Sequence, residues 1–217
     1  MEKVIAFDLD GTLLDSADDL MLALNTLLEE INIKKVNSKE VKNLVGNGAL
    51  AMIEKAFQLN NLKCENKKFL FKRFIDIYKE CFLTNSKLYP HTEIVLSKLF
   101  QNNFKLLVIS NKSEYFVNKI LEHFKIKNYF SAIAGGDTYS FKKPDPKHLT
   151  ETIKSINLVN YKCTFVGDSI NDALCAKRTK SKLILMSYGY SKENIYDMEA
   201  DEIFSDLRDI LKIFKIY

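Results

Sequence analysis

Hydrophobic positions fall into three regimes along the chain. Val4, Ile5, Ala6 and Phe7 form a short apolar run, partly β-branched and without helical period, which predicts a buried strand ending at Asp8. Gly11 then permits a turn. From residue 16 to about residue 82 the spacing becomes helical. Leu20, Leu24, Leu27, Leu28 and Ile31 make one stripe, and Leu70, Phe74, Ile77, Tyr78 and Cys81 make another. No strand is expected there. Beyond Tyr89 and Pro90 the pattern changes again: strands are expected at residues 104–110, 132–134, 163–167 and 183–186, and helices at 92–101, 114–124, 147–156 and 171–177.

Strands that alternate with helices imply a parallel sheet covered on both faces. The first strand resembles the later ones, so the fold class is α/β, a Rossmann-like parallel sheet core with an inserted small helical lid. Residues 1–15 and 85–217 form the core and residues 16–84 the insertion. No repeat or low-complexity tract interrupts the chain, and its three prolines lie outside the expected element interiors, so the hinges are short.

Composition narrows the function classes. The 217 residues suffice for a substantial core. The four cysteines, Cys64, Cys81, Cys163 and Cys175, contain no C-x-x-C pair and no neighbouring His at ligand spacing, and read as reduced core thiols. The N-terminus lacks the succession of a signal peptide and no apolar stretch reaches the length of a membrane span, so a cytoplasmic location and no membrane partner are expected. The formal charge of +4 comes from lysines scattered along the chain. That disfavours nucleic-acid binding and suits a mild attraction for small anions. His91, His123 and His148 read as surface residues.

Polar residues gather at expected strand ends, where ligands bind in open α/β sheets. They are Asp8 with Asp10, Ser110, the loop Lys142-Lys143-Pro144, and Asp168 with Asp172. Two carboxylates as close as Asp8 and Asp10 repel unless a cation or a shared proton intervenes. An oxygen-only donor set without His or Cys suits Mg²⁺. Taken singly, Ser110-Asn111 reads as a helix cap and Lys-Pro as loop chemistry. Their joint placement after successive strands points to a phosphate site.

These residues, in "DLDGTLLDS", "VISNK", "FKKPDP" and "GDSIND", resemble the haloacid dehalogenase superfamily of aspartyl-phosphate-forming phosphatases over nearly the whole chain. The resemblance implies that the insertion is a cap. It makes Asp8 the nucleophile and Asp10 the acid and later the base. Mg²⁺ would be held by Asp8, the Asp10 backbone carbonyl and Asp168, with Asp172 in the outer shell. Ser110 and Lys143 would bind the phosphoryl group. The runs "LVGNGA", "AGGDTYSFKKPDP" and "SYGY" are similar to phosphoglycolate phosphatases, which adds Asn111 and the cap residues Asn47 and Gly48 as substrate-binding candidates. A small phosphate ester is the expected partner, and the protein a monomer or weak homodimer.

The family pattern departs at two positions. His91 stands where Gly often follows Tyr-Pro, so a differently shaped turn is expected, and Lys180 stands where Gly usually ends a helix. The string Gly46-Asn47-Gly48-Ala49-Leu50-Ala51 fits a dinucleotide fingerprint, but the preceding "SKEVKNLV" looks helical, and the fingerprint needs a strand there. The core motifs leave open a sugar-phosphate mutase, a nucleotidase or a pyrophosphatase. A non-catalytic phosphate-binding regulator would be expected to lack one of Asp8, Asp10, Lys143 or Asp168.

Overall fold

The computed structural model describes residues 2–40 and 44–216. Its described strands are β1 (Glu2–Phe7), β2 (Leu14–Asp15), β3 (Lys87–Leu88), β4 (Lys105–Ile109), β5 (Phe130–Ala134), β6 (Tyr161–Gly167), β7 (Lys182–Met186) and β8 (Glu202–Phe204). The described α-helices are α1 (Ala17–Glu30), α2 (Ala49–Leu59), α3 (Lys67–Cys81), α4 (Thr92–Gln101), α5 (Glu114–His123), α6 (Lys147–Ser155), α7 (Ile170–Thr179) and α8 (Asp209–Ile213).

Six strands form one parallel sheet in the order β5-β4-β1-β6-β7-β8. Successive side chains of β1 point to opposite faces, as a pleated strand requires. Ile5 and Phe7 join one core with Val95 of α4 and Val117 of α5, while Val4 and Ala6 join another with Leu149 of α6 and Ala176 of α7. Burial on both faces is why β1 reads as an unbroken apolar run. The chain leaves β1 for β4 on one side and later occupies β6 on the other. β1 is therefore the point where the sheet order reverses, and ligand crevices form at such points.

The two leucine and aromatic stripes pack α1 against α3, as their spacing predicts. Among the described residues, 16–84 contain no strand. The chain leaves and rejoins the core through the antiparallel pair β2 and β3, where Leu14 faces Leu88 and Asp15 faces Lys87. Asp19 fixes this junction. It is fully buried, and its carboxylate accepts from Asn85 N (2.8 Å) and Ser86 Oγ (2.6 Å).

Two expectations need correction. His91 adopts the left-handed conformation at φ +68°, so the turn keeps the shape a glycine would give it despite the added Cβ. Of the cysteines, all free, only Cys175 is fully buried and the other three are half-buried. The expected helix at 38–45 shows one 3₁₀ turn at Ser38–Glu40, and its continuation through 41–43 lies outside the described residues. No described helix is long and apolar enough to cross a membrane.

Candidate active site

β1 and β6 end side by side, and their ends supply the acidic groups. Asp8 N donates to Val166 O (2.9 Å), which carries the strand geometry one residue past β1, and Leu9 N donates to Asp8 Oδ1 (2.7 Å). The chain then turns on the Leu9 carbonyl, which accepts from the N–H groups of Thr12, Leu13 and Leu14. Gly11 is required here twice over. Its φ is +87°, and a Cβ would lie 2.4 Å from Asp168 Oδ2. The same turn delivers Thr12, whose hydroxyl donates to Asp168 Oδ1 (3.0 Å), while Tyr190 N donates to Asp168 Oδ2 (2.7 Å).

Asp172 lies one turn into α7 and closes a capping box with Ser169. Its Oδ2 accepts from Asp168 N (3.1 Å), Ser169 N (3.0 Å) and Ser169 Oγ (2.7 Å). Its Oδ1 accepts from Lys143 Nζ (2.7 Å), and the same ammonium reaches Asp8 Oδ1 (2.8 Å).

Asp8, Asp168 and Asp172 are all buried, with carboxylate oxygens within 4.8 Å of one another. Burial pushes the Asp8 carboxyl up to about 7; Lys143 pulls it down, and Asp172 and Asp10 add to the rise. Burial also drives Asp168 well above the ordinary carboxyl range, with Asp172 and Asp8 adding to it. Lys143 behaves oppositely to its burial: desolvation would lower it, but Asp172 and Asp8 hold the ammonium above its usual value. Lys143 reaches Asp8 and Asp172 but not Asp168, so ionising all three carboxyls would leave a surplus of two negative charges against the one ammonium. A hard divalent cation with oxygen ligands balances that surplus, so the residues fit one.

Asp10 is turned away from this cluster. One carboxylate oxygen accepts from Ser16 Oγ, and the other pairs with Lys112 Nζ at 3.0 Å. Lys112 is buried and also donates to the phenol of Tyr78 on α3 (2.9 Å). Burial raises the Tyr78 phenol to about 12.

The remaining candidates surround these groups. Ser110 is buried after β4, with its Oγ accepting from Lys112 N (3.2 Å). Asn111 Nδ2 donates to Gly46 O (3.3 Å) and Lys143 O (3.1 Å), while its Oδ1 is buried without a partner among the described residues. Asn47 is exposed; its Oδ1 accepts from Asn171 Nδ2 (2.8 Å) and its carbonyl from Lys142 Nζ (3.3 Å). The loop 44–48 therefore rests on the core between two cavities that both reach Asp8 and Asp10. One, of about 300 Å³, includes Gly48, Ser110 and Asn111; the other, of about 200 Å³, includes Asn47, Asp168 and Asn171. Gly48 caps α2 at φ +89°, and no described strand leads directly into this loop, so the dinucleotide fingerprint lacks its strand context.

His148 contradicts its surface reading. It is fully buried at the start of α6, where Nδ1 accepts from Lys143 N (3.2 Å) and Nε2 lies 3.0 Å from Gly135 O. These partners fix the tautomer, with the proton on Nε2. Burial and the charge of Lys143 lower the imidazole to about 4, so the ring stays neutral. Sequence reasoning also passes over Thr12, Lys112, Asn171 and Tyr190. For Thr12 and Lys112 a signal existed, since both lie inside the strand-end runs that carry Asp8 and Ser110.

Comparison with known proteins agrees with this geometry. Residues 5–186 match the haloacid dehalogenase-like hydrolase family. A phosphoglycolate phosphatase of Agrobacterium fabrum is 35% identical over 95% of this chain and 89% of its own length. That of Vibrio cholerae is 35% identical over 97% and 96%. The crystal structure of a predicted phosphoglycolate phosphatase from Haemophilus somnus superposes with a TM-score of 0.92 at 32% identity, covering 98% of both chains.

Proposed function

The chain belongs to the haloacid dehalogenase-like hydrolases and is a phosphoric monoester hydrolase, and from that premise we propose that it dephosphorylates phosphoglycolate through a phospho-aspartate on Asp8. The observation that carries the mechanism is the different company of the two aspartates: Asp8 sits against Lys143 in the buried cluster, and Asp10 stands apart with Ser16 and Lys112. Phosphoglycolate as substrate is supported by the names of relatives that match almost the whole chain.

Lys143 and the Leu9 N–H occupy Asp8 Oδ1, which leaves Oδ2 to attack phosphorus. The Lys143 ammonium lowers the repulsion between the carboxylate and the incoming phosphoryl oxygens. The hydroxyl of Ser110, whose oxygen already accepts from Lys112 N, has its proton for a phosphoryl oxygen. As the ester P–O bond breaks, Asp10 gives its proton to the leaving alkoxide. Asp10 then takes a proton from water, and the hydroxide displaces Asp8 from phosphorus, returning the free carboxylate and inorganic phosphate. Asp8, the Asp10 carbonyl and Asp168 would hold Mg²⁺, with Asp172 behind them, its carboxylate engaged by Lys143, Ser169 and the Asp168 N–H. The bound ion would supply positive charge between the nucleophile and the phosphoryl oxygens. Residues 16–84 act as the cap over this chemistry and residues 1–15 with 85–217 as the core.

Phosphate release measured with phosphoglycolate, a hexose 1-phosphate, a nucleoside monophosphate and pyrophosphate tests the substrate. The highest kcat/KM is expected for phosphoglycolate, and a preference for any of the others overturns it.

The surplus charge has a consequence for stability. A carboxyl whose folded pKa lies above its unfolded value stabilises the fold at low pH, and that contribution is lost as pH rises. For Asp8 the window runs from the ordinary value of 3.8 to about 7. A cation that binds only the folded, ionised site restores it. Millimolar Mg²⁺ is therefore expected to raise Tm by several degrees near about pH 8 and by much less near about pH 5. Equal shifts at both pH values contradict this.

The loop contact gives a smaller effect. Asn171→Ala removes the donor to Asn47 Oδ1 and Gly46 O, and is expected to raise KM for phosphoglycolate roughly two- to tenfold with less change in kcat, one or two hydrogen bonds' worth. A loss confined to kcat would place Asn171 elsewhere in the mechanism.

A further inference from the structure

Lys143 brings its ammonium to Asp8 and Asp172, yet no regular structure holds Lys143 itself. It lies between β5 and α6, and among the described residues no backbone–backbone hydrogen bond reaches its main chain. Two side chains hold it instead. His148 Nδ1 accepts from Lys143 N (3.2 Å), and Asn111 Nδ2 donates to Lys143 O (3.1 Å). Pro144, next in the chain, has no N–H to add. The flexible four-carbon stem of the lysine therefore starts from a point fixed by an imidazole and an amide.

His148 is built into the core as a rigid base for that point. It is fully buried at the start of α6, whose Leu149 and Ile153 pack under the sheet, and its Nε2–H donates to Gly135 O just beyond β5 (3.0 Å). The Tyr139 ring meets it edge-on, with centroids 6.2 Å apart. Helix, strand end and ring contact leave the imidazole one orientation, with Nδ1 turned to Lys143 N as an acceptor. The charge of the side chain matters as much as its shape. A carboxylate at this position would compete with Asp8 and Asp172 for the Lys143 ammonium, and a cation would repel it. A ring that stays neutral accepts from Lys143 N and does neither.

We propose that His148 is the positioning residue for Lys143 and sets where its ammonium stands between Asp8 and an incoming phosphoryl group. The proposal rests on the phosphatase reading above, in which Lys143 offsets the repulsion between those two anions. His148 lines neither cavity, so its effect comes through the lysine. Electrostatic stabilisation depends on charges already standing where the transition state needs them, and a displacement of about 1 Å costs on the order of 10² in rate.

His148→Gln and His148→Asn test it, because each keeps one of the two ring contacts. The Gln amide reaches the Nε2 end of the ring and can still donate to Gly135 O, but it leaves Lys143 N unpaired. Asn places Oδ1 close to the position of Nδ1 and can still accept from Lys143 N. With Mg²⁺ present and below both melting temperatures, His148→Gln is expected to lower kcat/KM for phosphoglycolate roughly 10- to 100-fold, and His148→Asn to stay within about fivefold of the wild type. His148→Leu, which also leaves Lys143 N unpaired, stands in where the Gln variant folds poorly. In a Lys143→Met background the His148→Gln change is expected to cost less than about threefold more, since the group it positions is gone. A general weakening of the fold would instead harm both backgrounds alike. Equal losses in the Gln and Asn variants, a larger loss in Asn, or losses that multiply in the double variant overturn the proposal. The same order of variants is expected with nitrophenyl phosphate. A wild type that hydrolyses that ester but not phosphoglycolate removes the substrate reading, and the order of variants on it still decides this one. No turnover of either ester removes both.

Discussion

Lys143→Met is expected to lower kcat/KM by about 10³-fold or more and to destabilise the fold by about 3–5 kcal/mol, because one buried ammonium serves two tasks. In catalysis it offsets the repulsion between the Asp8 carboxylate and an anionic phosphoryl group. In the resting fold it is the sole cation within bonding distance of Asp8 and Asp172 among the described residues. Its removal leaves carboxylates with donors but no counter-charge. The stability loss has a sign with pH. Below about 4 Asp8 and Asp168, both raised by burial, are protonated in the fold and largely so in the unfolded chain, and little is lost. As pH rises, the unfolded chain releases its protons while the folded cluster retains them, so the variant falls further behind the wild type. Thermal melts of the metal-free proteins should show a gap in Tm that is wider near about pH 8 than near about pH 5. A gap that closes as pH rises would mean that Lys143 does not balance this cluster. Activity assays below both melting temperatures separate the catalytic loss from the unfolding one.

The carboxylate positions could be read in the sequence because they are local features. Asp8 follows an apolar run, Asp168 follows another, and the side-chain period of a strand and the ends of parallel strands do the rest. Lys143 and Ser110 gained meaning only from their order along the chain. What the sequence hid depends on groups distant in the chain. Tyr78 belongs by spacing to the apolar stripe of α3, and only the folded contact makes its phenol a partner of Lys112. Ser16, next to the start of α1, looks like a helix cap, yet its hydroxyl makes no cap hydrogen bond and donates to Asp10 instead. His148 reads as a surface residue because polar side chains usually are. It is buried because two backbone groups, Lys143 N and Gly135 O, satisfy both ring nitrogens. The paired strands β2 and β3 have two residues each, and β8 has three, too short for any alternation to register.

The division of labour between Asp8 and Asp10 is the centre of the account. Asp8→Asn removes the nucleophile, so neither phospho-enzyme nor product is expected. Asp10→Asn keeps the nucleophile and the backbone carbonyl but loses the proton donor and later the base. With an ester whose leaving group needs little protonation, such as a nitrophenyl phosphate, this variant still transfers the phosphoryl group, and hydrolysis of the acyl phosphate then slows by about 10²–10⁴-fold. Rapid-quench mass spectrometry of the two variants reads this directly. The account predicts phosphate on the peptide containing Asp8 in Asp10→Asn and an unmodified chain in Asp8→Asn. Phosphate accumulating in Asp8→Asn, or attached to any residue other than Asp8, would contradict it.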